Sequence, residues 1–301
     1  MSVANPMVVD VDPYESRVGV EWAVQPRKDP VVWGTESGPF EGSALAQYVE
    51  QGYLAVPQLL SQQEAAELLA EANAFADAAD VTAPDVIAEP NSNVVRSLFR
   101  LHRTNERVRQ LVKDPRLADA ARQLLGSEVY VHQCRINFKP AFRGKEFFWH
   151  SDFETWHVED GMPRMRAVSL SISLTENNEF NGPLMVVRGS HKHYIQCVGQ
   201  TPENHFEQSL RRQEYGVPSR EALEFLVQRG EIEAPKGCPG SALFFDCNTM
   251  HGSVGNLSPY PRTNLFIVFN SVENGLVAPF GGQPPRPDFL AERDINPVAE
   301  L

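Results

Sequence analysis

The sequence has few cysteines, an excess of acidic over basic residues, and no long apolar run. Only four cysteines occur in 301 residues, and no two stand in a CxxC pair, so a disulfide framework is not expected. Lysine and arginine number 27 against 39 acidic residues, a formal net charge of -12. This balance argues against a nucleic-acid partner, because neutralising phosphates requires a basic face.

The sequence also lacks membrane and export signals. No stretch approaches the roughly 18 uninterrupted apolar residues of a membrane-spanning helix. Near the N-terminus, Asp10 and Asp12 stand where a signal peptide would need a basic start followed by apolar residues. With so few cysteines, these features predict a cytoplasmic protein with reduced thiols and no membrane partner.

Helical patterns dominate between about residues 43 and 125. Ser61 and Glu64 have the spacing of a capping box, which marks a helix start. Pro115 and Gly126 bracket a later helix, since proline suits a first turn and glycine the residue beyond the last. One further helix is predicted over residues 220–229.

After Gly126 the apolar residues recur with period two, which predicts strands with one buried face. The alternation is clearest over 168–174, and further strands are predicted over 184–187, 242–245 and 265–270. Helices followed by strands, without a βαβ rhythm, favour a mainly β fold with helical buttresses.

Nothing in the sequence marks an internal domain boundary. We therefore expect one domain over 1–301, helix-rich over 43–125 and with a β core over about 127–275. Residues 1–42 are rich in proline, with Trp22, Trp33 and Phe40 as candidate anchors. Their role, in the core or in contact with a partner, is left open.

The densest polar and aromatic stretch, 147–157, contains an H-x-D pair formed by His150 and Asp152. If this segment is extended, both side chains point to the same side and reach one metal ion. His251, which follows the predicted strand 242–245, is the candidate third ligand. Two histidines and one carboxylate with open positions form the facial site of non-haem Fe(II) oxygenases. Arg262, eleven residues later, offers the planar fork that a cosubstrate carboxylate needs.

With the segments 181–184 and 189–191, these motifs resemble the phytanoyl-CoA-dioxygenase-like group of Fe(II)/2-oxoglutarate oxygenases over about 130–272. Within that group, the run FWHSDFETWH at 148–157 and its continuation EDGMP at 159–163 are similar to the signature of the ectoine hydroxylases. The resemblance implies a double-stranded β-helix, a jelly-roll or cupin-like core with the metal at one open end.

The resemblance also implies a reaction, in which ectoine, 2-oxoglutarate and O₂ become 5-hydroxyectoine, succinate and CO₂. It further implies a homodimer. The implied iron ligands are His150, Asp152 and His251. The implied contacts to 2-oxoglutarate are Arg262, as the anchor of the distal carboxylate, and Phe99, Arg135, Asn137 and Ser253. The implied contacts to ectoine are Gln133, Trp156 and Phe269.

Ectoine is a small ring with a delocalised cation and a carboxylate, and an aromatic face such as that of Trp156 suits the cation. Two other functions stay open. One is hydroxylation of another small zwitterion such as proline. The other is a cupin-like metal-binding protein without turnover, which gives no reason for Arg262 to accompany the three ligands.

Several other histidines, acidic residues and one loop are expected to have structural rather than catalytic roles. For His191 and His193, we expect a turn rather than a second metal site. His157, Glu159 and Asp160 are expected to order the ligands or loops rather than to bind metal. The segment 279–285 is expected to be a plain surface loop, with a lid as the alternative.

Overall fold

The fold is built from antiparallel sheets with helices on one side. The computed structural model describes residues 12–89, 92–202, 204–206 and 214–301. Its strands are β1 (Ala23–Pro26), β2 (Tyr53–Val56), β3 (Val86–Ala88), β4 (Val95–Phe99), β5 (Val129–Lys139), β6 (Phe147–His150), β7 (Ala167–Ser173), β8 (Met185–Val187), β9 (His193–Gln196), β10 (Ile232–Glu233), β11 (Ala242–Asp246), β12 (His251–Ser253) and β13 (Arg262–Ser271). Its α-helices are α1 (Gly42–Gln51), α2 (Gln62–Ala78), α3 (Leu101–Thr104), α4 (Glu106–Lys113), α5 (Pro115–Leu125), α6 (Asp152–Thr155) and α7 (Arg220–Val227).

Two of the sheets face each other. The larger has seven strands in the order β2-β11-β7-β13-β5-β4-β3, and the smaller has four in the order β10-β8-β12-β6. Phe266 of β13 packs with Val186 of β8 between them. This is the predicted double-stranded β-helix, and the helical buttresses are confirmed. Among the residues that the structure describes, no helix has the length and apolar character needed to cross a bilayer.

The strand β13 divides the molecule into an outer and an inner side. It pairs along its length with β5 and also with β7. Leu265, Ile267 and Phe269 belong to the main core, which includes Leu117 and Leu124 of α5. The alternate residues of β13 face the smaller sheet, because successive side chains of a strand point to opposite faces.

Most of the predicted elements are present. Ser61 and Glu64 form the capping box at the start of α2, and Gly126 ends α5 with φ 64° in the left-handed region. The strand predicted over 168–174 is β7. The prediction for 43–125 is wrong in one respect: this region also supplies β2, β3 and β4, which complete both edges of the larger sheet. Strands of three to five residues are too short to show a clear period in the sequence.

The N-terminal segment, from residue 12 onward, packs against the body of the protein. Tyr14 is fully buried, with its ring centroid 5.2 Å from that of Phe153. Trp33 donates from Nε1 to the Met165 carbonyl at 3.2 Å, and Phe40 packs edge-on against Phe244. These contacts make the segment part of the fold. Residues 1–11 lie outside the described residues.

We predict that Phe269→Ala lowers the free energy of unfolding by about 3–5 kcal/mol, because it empties a fully buried site in the main core. Guanidinium unfolding measures the change. As a control, Tyr260→Ala removes a ring that is 55% exposed and should change stability by less than about 0.5 kcal/mol. Equal effects of the two substitutions would contradict the packing described for Phe269.

Candidate metal centre and pocket

Three side chains able to bind a metal ion meet between the two sheets. His150 of β6 and His251 of β12 are direct partners in the strand register, and their ring centroids lie 4.2 Å apart. Asp152 completes the group, in which one ligand atom from each residue lies within 4.8 Å of the others. Within the described ranges, this is the one cluster of histidine, cysteine and acidic residues with such spacing.

Asp152 reaches the histidines through a short extended link. The strand β6 ends at His150, Ser151 keeps an extended backbone with φ -103° and ψ 128°, and Asp152 is the first residue of α6. The chain is therefore extended between His150 and Asp152, as the sequence predicts, and both side chains reach the same point. Asp152 Oδ1 lies 3.6 Å from His150 Nε2 and 3.8 Å from His251 Nε2. Its Oδ2 accepts a hydrogen bond from Ser169 Oγ at 3.1 Å.

Backbone carbonyls fix the orientation of both imidazoles. His150 Nδ1 lies 2.7 Å from the Phe148 carbonyl oxygen, and His251 Nδ1 lies 2.9 Å from the Thr249 carbonyl oxygen. Because a carbonyl only accepts, each Nδ1 carries the proton. Each Nε2 then turns its lone pair towards Asp152, as a metal ligand requires.

The electrostatics of the cluster also suit a cation. Burial and the neighbouring His251 lower the pKa of His150 to about 4. Burial alone would raise the pKa of Asp152, but His251, His150 and Arg135 hold it below its usual value. Near pH 7 a neutral imidazole and an ionised carboxylate therefore stand ready to bind. This donor set fits Fe(II).

A cavity lies next to the three side chains and collects most of the predicted contact residues. His150 and Asp152 border it. The other predicted residues in its wall are Phe99, Gln133, Arg135, Asn137 and Trp156. One wall is the inner face of β5, where Gln133, Arg135 and Asn137 alternate with core residues.

The structure does not bring Phe269 to this cavity. Phe269 lies on the outer face of β13 with Leu265 and Ile267. The inner face instead carries Phe266, which pairs with Arg135 in the strand register. The Arg135 guanidinium carbon is 5.1 Å from the centroid of the Phe266 ring. Alternation along β13 from Arg262 would have favoured Phe266 over Phe269, since only residues an even number apart share a face.

Two buried basic side chains stand together at one end of the β5–β13 pair. Lys139 is the register partner of Arg262, and its Nζ donates to Ser253 Oγ at 2.7 Å. Within the described chain, Arg262 Nε and Nη1 are buried without a hydrogen-bond partner. Burial lowers the pKa of Arg262 to about 10, with a contribution from Arg96. Burial, Arg262 and Arg96 lower the pKa of Lys139 to about 6.

Among the residues that the structure describes, no carboxylate forms an ion pair with Arg262 or Lys139. Buried charges are costly unless they are paired, and the planar fork of Arg262 matches a carboxylate. Lys139 was missed from the sequence, although it continues the alternation of Gln133, Arg135 and Asn137 by one more step.

A π-helical turn, Trp156–Asp160, forms another wall of the cavity. His157 stacks on Phe280 with ring centroids 4.0 Å apart and binds Asp12 Oδ1 through Nε2 at 2.7 Å. Asp160 accepts two hydrogen bonds from Arg286, at 2.7 and 2.6 Å. Neither His157 nor Asp160 belongs to the metal-binding group, so both order the pocket wall instead.

The segment 279–285 is largely exposed, but it is not a plain surface loop. Phe280 anchors it to His157, and Gly281 N donates to the Val158 carbonyl at 2.9 Å. Arg286, which follows it, lines the cavity. The histidines of the 189–193 turn do not join the metal-binding group: His191 Nε2 lies 3.1 Å from the Val49 carbonyl oxygen, and His193 packs against Phe225.

Comparisons with known proteins agree in pointing to one family. Residues 48–264 match the family model of phytanoyl-CoA dioxygenase (PhyH). The ectoine dioxygenase of Bordetella bronchiseptica is 54% identical over 299 residues, covering 96% of each chain. The ectoine dioxygenase of Sphingopyxis alaskensis is 51% identical over 286 residues, covering 94% of this chain and 93% of the relative.

Solved structures agree as well. The crystal structure of EctD from S. alaskensis with 2-oxoglutarate and 5-hydroxyectoine matches with a TM-score of 0.86 and 46% identity, over 97% of this chain and 98% of that chain. The non-haem α-ketoglutarate-dependent carbocyclase SnoK matches with a TM-score of 0.60 at 19% identity, over 83% of this chain and 89% of that chain. The second likeness concerns the fold alone.

We predict that the purified protein binds one equivalent of Fe(II) or Co(II) under anaerobic conditions. His251→Ala or Asp152→Ala should lower the amount of bound metal to below about a tenth of an equivalent, since each substitution removes one of three ligands. Metal analysis after gel filtration measures this. His193→Ala is the control, because His193 lies outside the group. Equal metal loss in this control would contradict the assignment.

Proposed function

The chain belongs to the phytanoyl-CoA dioxygenase family, and on that basis we propose that it hydroxylates ectoine to 5-hydroxyectoine. The reaction consumes O₂ and 2-oxoglutarate and releases succinate and CO₂. The observation that carries the proposal is the full-length similarity to ectoine dioxygenases, at 54% identity over 96% of both chains. The metal-binding group beside a cavity and the buried Arg262, whose Nε and Nη1 have no hydrogen-bond partner in the described chain, support it.

In this proposal His150, Asp152 and His251 bind Fe(II) at one face and leave the other coordination positions for 2-oxoglutarate and O₂. When bound, the iron supplies the oxidising chemistry that replaces a C–H bond of the substrate with C–OH. The chain itself holds the reactants in place. The Ser169 hydroxyl on Asp152 Oδ2 leaves Oδ1 directed at the histidines.

Arg262 and Lys139 bind the distal carboxylate of 2-oxoglutarate in this scheme. They lie side by side on β13 and β5, and Ser253 stands within hydrogen-bonding distance of Lys139. A carboxylate there supplies the partner that the buried Arg262 nitrogens lack. Phe99, Arg135 and Asn137, further along the cavity wall, complete the cosubstrate pocket.

Ectoine occupies the part of the cavity bordered by Trp156 and Gln133. The indole face attracts the delocalised cation, an interaction worth about 0.5–2 kcal/mol. Gln133 is held in position because its Nε2 donates to the Leu290 carbonyl at 2.7 Å. Arg286, in the cavity wall, is placed to bind the substrate carboxylate. Phe266, on the inner face of β13, packs against Arg135 and in this way supports the pocket.

The proposal extends to the compartment and the assembly. All four cysteines are free, which suits a reducing cytoplasm. We propose that the protein forms a homodimer and that residues 1–301 make up a single catalytic domain. Phe142, Phe180 and Leu257 are 65%, 66% and 86% exposed, and exposed apolar side chains of this size suit self-association. Sedimentation equilibrium would measure the dimer.

The test is incubation of the protein with Fe(II), 2-oxoglutarate and O₂, once with ectoine and once with proline. We expect a product one oxygen atom heavier than ectoine and one succinate per product, because decarboxylation and hydroxylation are coupled. Mass spectrometry and succinate analysis measure both. The Asp152→Ala protein is the blank, and succinate formation that depends on proline but not on ectoine would refute the substrate assignment.

We predict that Arg262→Ala raises the KM for 2-oxoglutarate by about 10- to 100-fold, because charge-assisted hydrogen bonds contribute about 1.5–3 kcal/mol. The KM for ectoine should change little. Steady-state kinetics with 2-oxovalerate, which lacks the distal carboxylate, provides the control: its KM should be the same in both proteins. Anchoring by Arg262 is excluded if 2-oxoglutarate and 2-oxovalerate lose affinity equally.

A further inference from the structure

We propose that Glu159 is a specificity-determining residue whose carboxylate binds the N–H edge of the substrate's cationic amidinium. This inference rests on the proposed function, because it assigns a contact to ectoine within the same pocket. It adds a recognition role to a residue that the sequence suggested only as a loop-ordering group.

The first observation is that Glu159 lies in the wall of the cavity. Glu159 lies on the π-helical turn and borders the cavity, as does Trp156 on the same turn. It also borders a neighbouring cavity lined by residues 201–202, 204–206 and 281–286. Glu159 therefore lies in the wall between the two cavities, within reach of a ligand in the inner one.

The hydrogen bonds of Glu159 carry the second step. Its Oε1 accepts from Arg17 Nη1 at 2.5 Å. Arg17 is in turn held by Glu154 through two hydrogen bonds of 3.0 and 2.7 Å. No donor within the described parts of the chain lies at hydrogen-bonding distance from Oε2, and Arg286 Nε, at 3.9 Å, is the nearest cationic atom among the ion pairs. One oxygen is thus fixed by the protein while the other is available to a ligand.

The charges carry the third step. Burial tends to raise the pKa of Glu159, but Arg286 and Arg17 hold it below its usual value, so the group is ionised near neutral pH. His205, which also borders both cavities, does not neutralise it, because burial lowers the pKa of this imidazole. Glu159 therefore presents a negative charge to the cavity.

The match to the substrate carries the last step. In ectoine an amidinium N–H is attached to the ring carbon that bears the carboxylate, so opposite charges are neighbours. Glu159 and Arg286 likewise present opposite charges as neighbours. With the substrate carboxylate on Arg286 and the N–H on Glu159 Oε2, each charge meets its opposite, while Trp156 covers the amidinium face. An anionic ring of the same size that lacks the cation satisfies only Arg286.

The test compares Glu159→Gln with Glu273→Gln. Each removes one carboxylate that accepts a hydrogen bond from an arginine, but Glu273 bonds to Arg166 and does not border the cavity. We expect Glu159→Gln to raise the KM for ectoine by about 10- to 100-fold, the range of a charge-assisted hydrogen bond. The KM for 2-oxoglutarate should stay within about twofold, and Glu273→Gln should leave both values unchanged.

A second measurement uses the wild-type enzyme, in case Glu159→Gln does not fold, which thermal unfolding would reveal. Cyclohexanecarboxylate keeps the ring and the carboxylate but lacks the cation, and we expect it to inhibit at least about tenfold more weakly than ectoine binds. An unchanged ectoine KM in folded Glu159→Gln, or equal affinity of the two rings for wild type, overturns the role of Glu159. A wild-type protein that forms no hydroxyectoine instead overturns the proposed function, and this inference with it.

Discussion

The pairing of β13 with β5 is the constraint on which both the core and the candidate site depend. Side chains alternate along paired strands. The register that buries Leu265 and Ile267 under the helices therefore also directs Arg262 and Phe266 towards the smaller sheet. A slip of one residue would exchange the two sets. The apolar core thus fixes the position of the anion-binding end without any contact to a ligand.

The metal-binding group depends on a second pairing, between β6 and β12. The register sets His150 opposite His251, and backbone carbonyls set the ring orientations, so the geometry of the ligands follows from the sheet. Asp152 arrives from α6, and Ser169 of the opposite sheet holds it. The site therefore joins both sheets, and it requires the fold to be complete.

Much of the fold and of the metal-binding group could be predicted from short sequence patterns. The capping box at Ser61, the period-two run of β7 and the spacing of His150, Asp152 and His251 each arise from residues close together in the chain or from a short motif. The rest depends on distant contacts. Strands as short as β3 lack a readable period, and the contact between Arg17 and Glu159 joins residues far apart in sequence.

The buried pair of Lys139 and Arg262 has a consequence for the kinetics of cosubstrate capture. A dicarboxylate approaching a protein of formal net charge -12 is repelled at long range and attracted only near Arg262 and Lys139. Dissolved salt screens the interaction between exposed charges that are farther apart than a Debye length, about 10 Å at 0.1 M, but affects buried charges far less. Rising ionic strength therefore weakens the repulsion more than the attraction, and the association rate of the dianion should hold or increase in concentrated electrolyte.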